Sequence, residues 1–115
     1  MRGGARDSAT IRNNNGETPF MVAVREGNPD MIKAFVYSDR FDVTKKDDNG
    51  VPPILAAISI NIPLDILESM LQKASLPPRD ILDNQNRNAY DYVRSYRNNL
   101  ASFIKLLDKY QDLKG

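Results

Sequence analysis

The chain contains no histidine, no cysteine and no tryptophan. Without cysteine there is no disulfide frame, no thiolate nucleophile and no cysteine-ligated zinc. Without histidine there is no Ser-His-Asp triad, no HExxH zinc site and no imidazole base. Excess charge of one sign is missing too: 16 Lys and Arg nearly balance 15 Asp and Glu, a net +1. No global field therefore attracts nucleic acid or an anionic membrane. Long hydrophobic runs are also lacking. Ile54 to Ile58 is as long as any, against the ~20 residues a membrane-spanning helix needs. The start, Met1-Arg2-Gly3-Gly4-Ala5-Arg6, has no apolar core of a secretory signal. The default expectation is a soluble intracellular protein.

What is present is a globular composition, 41% hydrophobic and 27% charged over 115 residues, one domain's worth of chain. It also repeats. Asn13-Asn14-Asn15-Gly16-Glu17-Thr18-Pro19-Phe20 has counterparts in Asp47-Asp48-Asn49-Gly50-Val51-Pro52-Pro53-Ile54 and Asp83-Asn84-Gln85-Asn86-Arg87-Asn88-Ala89-Tyr90. Gly16 and Gly50 are 34 residues apart, Gly50 and Asn86 36. Gly and Asn are the residue types that accept the positive φ of a tight turn. Two positions on stands a helix start: Thr18 and Asn88 are good N-caps, Pro19 suits a first helical position, and Asp91 favours the positive helix end. Pro52-Pro53 lacks a capping oxygen, so the second start should be weaker.

Short helices are predicted over Pro19 to Glu26, Pro53 to Ile60 and Ala89 to Arg97. After breaks at Gly27-Asn28-Pro29, Asn61-Ile62-Pro63 and Asn98-Asn99, second helices are predicted over 30–36, 65–71 and 102–107. Their shared polar-apolar-apolar-polar pattern makes one wide apolar stripe. Such a helix pair cannot bury both members alone, but stacked pairs share a continuous core. Met21, Phe35, Met70, Phe103 and the leucines are expected there. The loop from Gln72 to Asp80, with Pro77-Pro78, should be irregular.

These residues resemble the ankyrin repeat, whose period is about 33 residues. Residues 42–53 are similar to the junction D-V-N-A-x-D-x-x-G-x-T-P. Thr18-Pro19-Phe20-Met21-Val22-Ala23 resembles T-P-L-H-x-A. Asp30-Met31-Ile32-Lys33 and Asp65-Ile66-Leu67-Glu68 resemble E-V-V-K. The resemblance spans about residues 8–110. It implies an all-α, ankyrin-type solenoid of three stacked helix-turn-helix repeats joined by hairpin-like loops, in units 13–46, 47–82 and 83–110. Residues 1–7 would be a flexible tail before a single domain, 8–115. The family's motif histidine falls on Met21, Leu55 and Asp91, so its hydrogen bond to the motif threonine should be missing. Arg and Tyr on the third unit's first helix suit a terminal, solvent-facing repeat. The N-terminal side offers no comparable cap, which raises the alternative of a module cut from a longer protein.

Chemistry-bearing clusters weigh little. The Asn/Asp runs lack the ligand spacing and closing Glu of a calcium loop. Asp65 and Glu68 sit at a helix entry, where acids offset the dipole. No glycine pattern matches a phosphate loop. Tyr90, Tyr92 and Tyr96 with Arg94 and Arg97 leave three readings open. Tyr90 can be core while the others shield the end of the stack, the cluster can be a protein-binding hot spot, or, least favoured by the charge balance, a single-strand nucleic-acid surface.

No catalysis, metal or cofactor is expected. The resemblance implies a protein-protein interaction scaffold, monomeric, that binds another protein and neither nucleic acid nor membrane. Its surface would be the hairpin tips and the concave face of the first helices. By position these are Asn14, Asn15, Glu17, Arg25 and Glu26; then Lys46, Asp48, Asn49, Val51, Ser59 and Ile60; then Asn84, Gln85, Arg87, Ser95 and Tyr96. Val51 and Ile60 stand out as apolar residues where solvent is expected. The alternative is a regulatory or docking module of a longer enzyme or of a host-directed bacterial effector.

Overall fold

The computed structural model describes residues 13–14, 16–38, 41–47, 49–60, 62–98 and 100–114. The expected tail, 1–7, and the proposed surface residues Asn15 and Asp48 lie outside these. Among the described residues the regular structure is all helical: α1 (Pro19–Glu26), α2 (Pro29–Val36), α3 (Pro53–Ser59), α4 (Leu64–Lys73), a 3-10 turn (Pro78–Asp80), α5 (Ala89–Tyr96) and α6 (Leu100–Lys114).

The helix starts follow local chemistry. Thr18 Oγ1 accepts the Met21 N–H at 3.2 Å. Asn88 and Asp91 form a reciprocal capping box, each side chain accepting the other's backbone N–H at 3.0 Å, which satisfies two otherwise orphaned donors. The α3 start at Pro52 has no side-chain cap, as its sequence implies. Packing compensates, because Ile54, Leu55, Ala56, Ala57 and Ile58 are all buried.

Ahead of each first helix lies a hairpin of one design. Asn13, Asp47 and Asp83 each donate their N–H to the carbonyl four residues on, at 2.7, 3.1 and 3.0 Å. Each of their carbonyls accepts from the residue three on, Gly16, Gly50 or Asn86, and those three have φ of +77°, +79° and +62°.

The helices stack in two layers. Each pair packs internally, α1 on α2, α3 on α4, α5 on α6. Across pairs, α1 meets α3 and α3 meets α5 in one layer, while α2 meets α4 and α4 meets α6 in the other. A single core runs through them. In the first pair it is aromatic: Phe20, Phe35 and Phe41 sit with ring centroids 5.0–5.7 Å apart.

Three expectations change. The last helix runs on to Lys114, well past 107. Leu76, Leu100 and Leu113 are exposed and not core; the latter two lie in the end turns of α6, which is longer than the helices beside it. Met21 is only half-buried, while Phe35, also half-buried, does pack against the core.

Candidate protein-interaction face

The third hairpin is held by one carboxylate. Asp83 is 2% exposed, yet it has four donors. Its Oδ1 accepts the Gln85 and Arg87 N–H groups at 2.8 and 3.0 Å, and its Oδ2 accepts Arg87 Nε and the Tyr92 hydroxyl, both at 2.8 Å. Burial works to raise this carboxyl. The Arg87 N–H, the Tyr92 hydroxyl, the Gln85 N–H and the Arg87 guanidinium outweigh it and hold the group at about 2. Burial and then Asp83 push the Tyr92 phenol well above its ordinary range. Asp47 makes the analogous bonds in the second hairpin, its Oδ1 accepting the Asn49 and Val51 N–H groups at 2.8 and 3.1 Å. Asn13 accepts the Glu17 N–H at 3.0 Å in the first.

These anchors aim the neighbouring side chains outward and fasten one tip to the next. Asn84 donates its N–H to the Gly50 carbonyl at 3.0 Å, and its Oδ1 accepts Lys46 Nζ at 3.1 Å. In the first unit Glu17 and Arg25 make a two-point ion pair at 2.5 and 3.2 Å. The Arg25 hydrogen bond is the main reason the Glu17 carboxyl lies below its usual value. In the third, the Arg87 guanidinium covers the Tyr92 ring at 5.3 Å, and Tyr96, 50% exposed, stacks on Tyr92 at 5.6 Å between centroids.

Asn14, Arg25, Glu26, Lys46, Asn49, Asn84, Gln85, Arg87, Ser95 and Tyr96 are exposed. Glu17 and Ser59 are half-buried, the Ser59 hydroxyl donating to the Ala56 carbonyl at 2.7 Å. Val51 and Ile60 are half-buried and packed against the core. Tyr92 departs from the reading that set it in solvent at the end of the stack. It is buried and joins α5 to the hairpin instead of shielding the end of the stack. Asp83 was not among the sequence candidates, and Tyr92 was, in the Tyr/Arg cluster, but for a surface role. The signal for Asp83 was present in the repeating Asn13, Asp47 and Asp83 at the head of each hairpin.

Among the described residues no group of three or more acidic side chains is placed to hold a metal ion, and no helix is long and apolar enough to cross a membrane. The face offers hydrogen-bonding amides, charged groups and one exposed aromatic ring, which are recognition chemistry. Residues 15–48 match the family model of the ankyrin repeat. No curated protein and no solved structure matches the chain.

Proposed function

We propose that this chain, which carries an ankyrin repeat, binds another protein through its hairpin tips and the adjoining face of α1, α3 and α5. Ankyrin repeats are in general protein-interaction modules. The observation that supports the reading is the common hydrogen-bond design of the three hairpins, the second and third of which are joined through Asn84. Rigid presentation lowers the ordering cost of binding. Tyr96 is the surface's large aromatic anchor: it is half exposed and in ring contact with Tyr92, the kind of side chain that dominates protein interfaces.

The test is affinity capture of a defined partner from lysate, followed by titration with purified components. Tyr96→Ala combined with Gln85→Ala and Asn49→Ala removes exposed side chains and keeps every hydrogen bond to Asp83, losing only the Tyr96 ring contact with Tyr92. It should weaken binding at least about tenfold, whereas Lys33→Ala on α2 should not. Equal binding by the triple variant, with its circular dichroism unchanged, would remove this face from the function.

A further inference from the structure

A second surface lies on the other layer. Leu64, Asp65, Glu68, Ser102, Lys105, Leu106 and Lys109 line a groove of about 630 Å³ between α4 and α6. It opens where the lacing between these helices stops. Glu68 accepts Lys109 Nζ at 2.9 Å and the Tyr110 hydroxyl at 3.0 Å, and Lys114 Nζ reaches the Gln72 carbonyl at 3.2 Å. One turn toward the helix starts, the same register brings Asp65 and Lys105 to the groove, where neither makes an ion pair among the described residues. Leu64 and Leu106 are half-buried beside them. The walls differ in sign: every acid comes from α4 and every base from α6.

We propose that this groove docks an amphipathic helix of a partner protein, one that places a large apolar side chain over Leu64 and Leu106, a cation against Asp65 and an anion against Lys105. Charge complementarity argues for that occupant. An all-acidic segment would meet Asp65 and an all-basic one Lys105, each with a repulsive flank, while a mixed pair satisfies both. The form follows from the walls: two side-by-side helices present ridges and a groove into which a third helix seats. The surface is separate from the hairpin face, so either can fail without the other.

The probe is a synthetic alanine-based helical peptide of about 15 residues with Leu on one face, Lys on one flank and Glu on the other. Two companions carry Glu on both flanks or Lys on both. Titrated into the ¹⁵N-labelled full chain, the mixed peptide should shift amides of Leu64, Asp65, Ser102, Lys105 and Leu106. It should bind about fivefold more tightly than either companion, as two exposed ion pairs allow. Asp65→Lys should transfer the preference to the Glu/Glu peptide, and Lys105→Glu to the Lys/Lys peptide. The second variant changes an exposed mid-helix position, so it decides the matter if the first disturbs the α4 start. Shifts elsewhere on the chain, no shifts at about 1 mM peptide, equal affinity for the three peptides, or an order unchanged in the variants would each overturn the proposal.

Discussion

Asp83 shows how much one side chain can carry. Its charge is buried, a costly arrangement unless its lone pairs are filled, and here four donors fill them. The folded-state carboxyl is held at about 2, below its ordinary 3.8. A depressed acid contributes stability above its unfolded value and loses it as pH falls through the folded value. The contribution, about 2 kcal/mol, is therefore whole at neutral pH and fades between about pH 4 and pH 2. The urea-unfolding gap between the wild type and Asp83→Asn should close over that window. Glu17 and Glu68 are also depressed, but both proteins contain them and they cancel from the gap. A gap independent of pH would show that the hydrogen bonds matter and the charge does not. Tyr92→Phe leaves the carboxylate one donor short and should cost about 1–2 kcal/mol at pH 7.

The hairpins share one design, but their turn residues are not equally replaceable. Gly16 and Gly50 both have left-handed φ, which costs a side-chain-bearing residue about 1–2 kcal/mol. A Cβ at Gly16 would meet open space, whereas one at Gly50 would overlap the Asn84 side chain of the next hairpin. Gly16→Ala should therefore lower stability by about 1 kcal/mol and Gly50→Ala by at least twice that. Placing both alanines in an Asn84→Gly background should bring the two costs together, a coupling that a double-mutant cycle measures directly. Equal costs in the wild-type background would mean that the tips are not in register. The helices themselves were legible in sequence because their causes are local: Thr18 and Asn88 cap, Pro29 opens α2, and Gly50 turns the chain. Tyr92 was not, since its burial depends on a carboxylate in a different element. Val51 and Ile60 stand at outward positions of the repeat, but both are half-buried against the core, and no local pattern records that. The α4–α6 groove was equally silent, being a gap between two helices that are far apart in sequence.

In a stack whose helices, among the described residues, pack chiefly on their own pair and the next one, stability is close to a chain of neighbour couplings. The middle pair has a neighbour on either side, and α3 is the most enclosed segment, with Ile54, Leu55, Ala57 and Ile58 all at 0% exposure. Like α4, it has no side-chain cap, so its helicity derives from tertiary packing and not from its own ends. Native-state hydrogen exchange should then be slowest in α3 and faster toward α1 and the end of α6. Leu55→Ala, which empties a site enclosed on all sides, should cost about 3 kcal/mol and speed exchange about a hundredfold in α1, α3 and α5 together, because all three rest on that helix. Tyr110→Phe should act differently. It removes the hydroxyl bonded to Glu68 at 3.0 Å and should raise exchange in α6 alone. If Leu55→Ala loosens only α3 and α4 while α1 and α5 keep their protection, the three pairs are independent units and the shared core does not couple them.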